Sequence, residues 1–323
     1  MVAGPASRRD AERTSWAFRL VTLLPASRFS SLCSRVSLLA GQSLLRPRCC
    51  STISTTRATT RCSRSGGTDG GSAQRKAGRG SPRRVWSPAG ISFAGHGNRL
   101  LRLISSTDGT GTGTTQAQVC QQRKFYEGTY ATRVRFNDVP DSGPDGDQIV
   151  ETFYAISPLE APLDPNYSEL DWEYLPNGGW NVTDPTLFVT SWSTAQLVPY
   201  ISDNTSTTTP GSLNGWHTLV YQVANGTVDY YLDGTLIATH GGKYYPNVPM
   251  AISYNLWFIQ GGQLPAGSLR SYHEDIDWVY YQVGGVLSPQ QVTEHVAILR
   301  RQHVTFRNTV PPESPPLNSP CNF

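Results

Sequence analysis

Residues 168–173 read Ser-Glu-Leu-Asp-Trp-Glu, so Glu169, Asp171 and Glu173 recur at two-residue spacing with Leu170 and Trp172 between them. Strict alternation is the period of a β-strand, whose successive side chains point to opposite faces. The three acids therefore share one face, and the two apolar residues share the other. Like charges aligned on one face destabilise a sheet. Carboxylates gathered for acid/base chemistry are a common reason for a chain to carry that cost.

The same punctuated texture extends along most of the chain. From about Val85, short apolar or aromatic runs alternate with Gly, Pro, Asn and Asp turns, the pattern of a sandwich or barrel. Runs at 91–93 and 100–104 flank Gly95-His96-Gly97-Asn98 as a hairpin. Runs at 116–121, 129–136, 148–156, 168–175, 186–192, 216–223, 228–232, 250–258 and 275–282 read as further strands. Asp233-Gly234 is a strong hairpin turn. The segments 107–115, 138–147 and 202–213 read as loops. One helix is marked: Ser288 can cap it, Pro289 suits its first position, and Gln291 completes a capping box. Val292, Val296 and Leu299 follow at helical spacing, and Arg300 and Arg301 favour its C-terminal dipole.

Charge divides the chain of 323 residues. Residues 1–84 hold sixteen Lys/Arg against three Asp/Glu, net +13, whereas 85–323 hold eleven against twenty-one, net −10. The acidic second part argues against nucleic acid as its ligand, because phosphate binding needs clustered Lys and Arg; it does not argue against neutral sugars. Residues 1–84 are Arg/Ser-rich and low in complexity. A transit peptide is one reading of that composition. The preferred one is a disordered or spurious N-terminus, through a wrongly chosen start or an out-of-frame reading. Residues 85–307 form the expected folded domain, and 308–323 a disordered tail.

No run of about eighteen apolar residues is present, so no transmembrane helix is expected, and no clean secretory signal is visible. Cys33, Cys49, Cys50 and Cys62 match no zinc pattern. Cys120 reads as a small buried strand residue, with a Cys120–Cys321 disulfide left open. Asn166, Asn181, Asn204 and Asn225 begin glycosylation sequons, meaningful only in a eukaryotic secretory pathway.

In a retaining glycosidase, one carboxylate attacks the anomeric carbon. A second, roughly 5–5.5 Å away, protonates the leaving oxygen and then activates water. Positions i and i+4 of a strand have Cα atoms about 13 Å apart, and long Glu side chains leaning along the strand can close that gap. Asp171 between them can hydrogen-bond either one, and its charge would keep the acid protonated nearer neutral pH.

Glu169-Leu170-Asp171-Trp172-Glu173 resembles the E-x-D-x-E active-site strand of glycoside hydrolase family 16, the laminarinase and lichenase group. Trp216-His217-Thr218, Tyr231-Leu232-Asp233-Gly234, Pro249-Met250 with Asn255-Leu256-Trp257, and Asp277-Trp278-Val279-Tyr280 resemble further elements of that family, in its order, over about residues 85–285. The resemblance implies an all-β, concanavalin-like β-jelly-roll sandwich of two antiparallel sheets, here with one short C-terminal helix. It implies Glu169 as nucleophile, Asp171 as assisting residue and Glu173 as acid/base. Trp180, Trp192, His217, Asn255 and Trp257 are the expected substrate-binding residues. Where the family usually carries a Trp-Pro-Ala-x-Trp-like strand before the acids, this chain has Val150-Glu151-Thr152-Phe153-Tyr154.

The expected activity is retaining endo-hydrolysis, or transglycosylation, of internal β-linkages in a polysaccharide such as a β-glucan. The protein is expected to be secreted and monomeric and to need no cofactor, a structural calcium being left open. The competing reading is a non-catalytic, lectin-like jelly roll, and a weaker third is a cell-surface adhesion module. Trp172, pointing away from the acids, is expected in the core. His273, Glu274, Asp275 and Asp277 could mimic a metal cluster but read as the solvent end of the closing strand.

Overall fold

The computed structural model describes residues 85–97 and 99–318, with the backbone of one further strand at Val21–Leu23. The remaining expectations for residues 1–84, and Cys321, lie outside the described residues. In chain order the strands are β1 (Val21–Leu23), β2 (Val85–Trp86), β3 (Ile91–Ala94), β4 (Leu100–Thr107), β5 (Thr115–Cys120), β6 (Gly128–Phe136), β7 (Ile149–Ile156) and β8 (Glu169–Leu175). There follow β9 (Thr186–Leu197), β10 (Tyr200–Pro210), β11 (Gly215–Ala224), β12 (Thr227–Leu232), β13 (Thr235–Gly241), β14 (Ala251–Phe258), β15 (Arg270–Val283), α1 (Pro289–Arg301) and β16 (Phe306–Asn308).

The strands form two layers. The first runs β10-β9-β8-β7-β14-β5 and the second β4-β15-β6-β11-β12-β13. They join where Ser106 of β4 pairs with Thr115 of β5. At the other end His240 of β13 bonds Ser191 of β9 (2.9 Å) and Thr207 of β10 (3.1 Å), so the sandwich is nearly closed. The all-β, two-sheet sandwich expected from the sequence is therefore the observed architecture. The Asp233-Gly234 turn joins β12 to β13 with both residues at positive φ (48° and 87°), as a type I′ hairpin requires.

The core is an aromatic ladder crossing between the layers. Trp172 of β8 meets Tyr230 of β12 edge-on at 5.4 Å. Tyr221 of β11 stacks on Phe153 of β7 at 5.4 Å, and Phe153 on Tyr254 of β14 at 5.3 Å. Leu170 and Trp172 are fully buried, as their alternation with the acids predicts. Burying a side chain such as Leu170 is worth about 1.5–3 kcal/mol, enough to hold β8 in register against repulsion on its other face.

The helix forms as read. Ser288 and Gln291 complete the capping box, and Val292, Val296 and Leu299 bury against Ala131, Val220, Trp278 and Tyr280 on the outer face of the second layer. Cys120 is buried, as read from the sequence, and it is disulfide-bonded. Its partner lies outside the described residues. At the start of the C-terminal tail Val310 is buried, and Lys124 donates to Asn308 Oδ1 (3.0 Å) and the Val310 carbonyl (2.5 Å).

Two expectations need correction. The segment 202–213 is not a loop, because its first nine residues belong to β10, paired with β9 along its length. Its Ser/Thr-rich sequence lacks apolar alternation because β10 is an edge strand with little to bury. Strand β15 begins at Arg270, so His273, Glu274 and Asp275 lie within the strand rather than at a solvent end. Glu274 and Asp275 are buried, and Asp275 takes a two-point contact from Arg102 (2.7 Å each). Among the described residues no group of three or more His, Cys, Asp or Glu is disposed to hold a metal ion.

Glu274 is the unusual member of this stretch. Both its carboxyl oxygens are buried without a hydrogen-bond partner, the nearby Thr152 amide not meeting bonding geometry. Burial holds its carboxyl well above the usual range, so the folded protein keeps a proton that the unfolded chain releases above about pH 4.3. The stability contributed by that proton is present below this pH and is lost as pH rises toward the folded value. Glu274→Met keeps the volume and removes the unsatisfied group. It is expected to raise stability by about 1–3 kcal/mol at pH 8 and to flatten the fall in Tm between pH 5 and pH 8, as measured by thermal denaturation at both. An unchanged fall would mean that Glu274 is not its source.

Candidate active site

Strand β8 is third from the edge of the first layer, between β7 and β9. Its register sets Glu169 opposite Ile156 and Trp192, Asp171 opposite Tyr154 and Thr190, and Glu173 opposite Thr152 and Phe188. The three acids thus lie in a row on the layer's outer face, flanked by polar and aromatic side chains. Glu169 and Glu173 are half-buried, and Asp171 is buried. Together with Thr152, Tyr154, Asn255 and Trp257 they line one pocket of about 130 Å³.

Each neighbour is itself held. Thr152 Oγ1 donates to Asn255 Oδ1 (2.7 Å) and accepts from the Asn255 backbone N–H (2.8 Å). The Tyr154 hydroxyl accepts from Gln118 Nε2 at 2.6 Å. Trp192 Nε1 donates to Asp171 Oδ2 at 2.8 Å, and the Tyr167 hydroxyl donates to Glu169 Oε2. No described residue donates a hydrogen bond to Glu173.

This arrangement raises the proton affinity of the whole row. Burial pushes Glu169 up to about 7, opposed by the Tyr167 hydrogen bond. Burial and then the charge of Glu169 push Glu173 up to about 8. Asp171 is driven well above the usual range, first by burial and then by both glutamates, against the Trp192 bond. The carboxyls titrate as a set. Near neutral pH they retain protons, which is what a general acid needs.

Of the substrate-binding residues read from sequence, Asn255 and Trp257 line the pocket. Trp192 borders it through Asp171. Trp180 stands beside Trp257 (ring centroids 6.0 Å) and edge-on to Phe188 (5.3 Å), leaving it partly exposed next to the Glu173 end. The turn that presents it runs through positive φ from Gly178 to Asn181, and at Gly179 (φ 134°) that backbone favours glycine.

His217 is placed elsewhere. It lies on β11 in the second layer, with Nδ1 on Asp233 Oδ2 (2.7 Å) and Nε2 on the Leu213 carbonyl (2.9 Å), and it does not line the pocket. Its two engaged nitrogens give it a role in holding the β12–β13 turn.

Sequence reasoning missed Thr152, Tyr154 and Tyr167. The first two stand at two-residue spacing on the strand that pairs with the acids. Tyr167 was signalled only by its place two residues before Glu169.

No family model matches the chain, and no curated protein matches it. Solved structures do resemble it. Porphyranase B from Zobellia galactanivorans is 15% identical, with 64% of this chain and 84% of that one covered and a TM-score of 0.48. A kappa-carrageenase from the same organism is 12% identical, with 65% and 87% covered and a TM-score of 0.47. A β-glucanase from Bacillus licheniformis is 17% identical, with 61% and 83% covered and a TM-score of 0.42. At these values the likeness is one of outline and decides nothing about the chemistry of the pocket.

The coupling within the row is directly measurable. Glu169→Gln removes a charge that raises both Asp171 and Glu173. Both carboxyls are expected to ionise at lower pH in the variant, as followed by carboxyl carbon-13 NMR titration. Unmoved titrations would show that the three acids are electrostatically independent.

Proposed function

We propose that the protein is a retaining endo-glycoside hydrolase, or transglycosylase, acting on internal β-linkages of a neutral polysaccharide such as a β-glucan. The observation that carries this reading is the row of three carboxyls on one strand face, in one pocket, with raised proton affinity and with no described residue donating a hydrogen bond to Glu173. Glu169 serves as nucleophile and Glu173 as acid/base. Asp171, anchored by Trp192, assists between them.

In the first step Glu169 forms a bond to the anomeric carbon as the glycosidic C–O bond breaks and the Glu173 proton passes to the leaving oxygen. In the second, water attacks that carbon, gives its proton to Glu173 and displaces Glu169. Another sugar hydroxyl in place of water gives transglycosylation. Two glutamates at i and i+4 of one strand suit the short carboxyl separation of the retaining route. The position of β8 inside the layer, with strands on both sides, leaves room for sugars on either side of the broken bond and favours internal cleavage.

Charge favours an uncharged glycan. None of the eleven Lys and Arg residues in the described domain lines the pocket, and none contributes to the proton affinity of the three acids. A sulfate or uronate group would meet carboxylates there with no compensating cation among the described residues. Trp257 and Trp180 offer apolar ring faces on which a sugar can stack. The disulfide at Cys120 suits an oxidising compartment, which supports export of the enzyme. No helix among the described residues is long and apolar enough to cross a membrane.

The test is reducing-end release by the full chain from β-glucans, an uncharged β-galactan and their sulfated counterparts. Turnover is expected on an uncharged polymer, with retained anomeric configuration by proton NMR, and Glu169→Gln is expected to lower it by on the order of 10^4 or more. The pH profile of kcat/KM should rise as Glu169 ionises near 7 and fall as Glu173 loses its proton near 8. Binding to a glycan with no cleavage at any pH would favour the lectin-like alternative. Cleavage confined to sulfated polymers would overturn the neutral-substrate assignment.

A further inference from the structure

Glu169 and Glu173 are the same residue type, on the same strand face, in the same pocket. Something must decide which carries the negative charge and which the proton. Asp171 lies symmetrically between them in sequence and does not decide it alone. The difference lies in what each glutamate receives. Glu169 Oε2 accepts the Tyr167 hydroxyl, whereas no described residue donates to Glu173.

Tyr167 is built to hold that bond. Its side chain is 7% exposed and packs with Tyr154, Ile156, Leu159 and Trp192. Its backbone is pinned on both sides: the Tyr167 amide donates to the Asp164 carbonyl, and the next residue bonds Ser157 Oγ (2.9 Å) and Asn247 Oδ1 (3.0 Å) through Ser168 N and Oγ. The phenol therefore has little freedom to leave Glu169.

We propose that Tyr167 is a positioning residue for Glu169: it ties down Oε2, leaves Oε1 as the attacking oxygen, and fixes the anionic form on Glu169 so that the proton resides on Glu173. This inference rests on the hydrolase reading of the same pocket. A hydrogen bond to a carboxylate favours its charged form, and a charge-assisted bond from a buried hydroxyl is among the stronger kinds. Tyr167 neither gains nor loses a proton during the reaction. Burial and the Glu169 charge keep its hydroxyl protonated well beyond the usual phenol range, so it remains a donor throughout. When Glu169 Oε1 bonds to the anomeric carbon the charge on the carboxyl is consumed, and when water releases the sugar the charge returns to a group already held in place.

The experiment uses Tyr167→Phe in the full chain, with carboxyl carbon-13 NMR titration of the glutamates beside steady-state kinetics on the uncharged polymer that the wild type cleaves. The phenyl ring keeps the packing and removes only the donor. Glu169 is expected to ionise at higher pH in the variant. The rising limb of kcat/KM should move with it, and kcat at pH 6 should fall about 10- to 100-fold with KM little changed. Replacing Tyr167 by 3-fluorotyrosine, which keeps the hydroxyl and makes it a stronger donor, should shift both in the opposite direction and preserve the test if the Phe variant folds poorly.

An unmoved Glu169 titration, or a loss of rate equal at every pH, would overturn the proposal. The titration needs no turnover. A wild-type chain that cleaves nothing would sink the hydrolase reading, while the NMR shift would still decide whether Tyr167 sets the charge on Glu169.

Discussion

The site depends on what lies behind it. Leu170 and Trp172 are fully buried between the layers, and through them β8 is locked to Tyr230 and the aromatic ladder of the core. Because the side-chain period of a strand is two, burying those residues forces Glu169, Asp171 and Glu173 onto the opposite face together. A slip of one residue would place three carboxyls in an aromatic core, which desolvation forbids. The apolar half of the strand thus enforces an arrangement that the acidic half would disfavour if left to itself.

Crowding has a chemical consequence. Three carboxyls in one partly desolvated row cannot all ionise near neutral pH, so the site keeps protons where isolated side chains would have lost them. An acid and a base can then coexist in one residue type, provided that the environment distinguishes them. Among the described residues, the side-chain hydrogen bonds to the row come from aromatic side chains. Trp192 donates to Asp171 and Tyr167 to Glu169, while Glu173 is left to the pocket. Among the described residues, no Lys or Arg lines this pocket.

Much of this was legible in the chain because burial writes itself into sequence as period. The acid strand, the capping box at Ser288, the Asp233-Gly234 turn and the core position of Trp172 each carry a local physical signature. Where burial does not govern composition, the signature disappears. Strand β10 is an exposed edge rich in Ser and Thr, so its pairing with β9 left no apolar alternation to read. In the closing strand the difficulty was reversed: Glu274 and Asp275 look solvent-facing by residue type, yet one is buried without a partner and the other is neutralised by Arg102 of the paired strand β4, far away in the sequence. His217 is a further case. It is polar enough for a cleft, but only the register of β11 shows that it stands in the other layer, held by Asp233.

The sequence by itself determined the strand class, the shared face of the three acids and the residues that must lie behind them, because these follow from a period of two and from the cost of burying charge. Tertiary structure decided which distant side chains meet the acids. Thr152 and Tyr154 reach the pocket through the pairing of β7 with β8, and Asn255 and Trp257 through β14, while Trp192 of β9 meets Asp171 at its border. Hydrogen bonds act over about 3 Å and their partners here are set by strand order across the sheet. No spacing along the chain encodes that order, so the pocket became visible only when the strands were laid side by side.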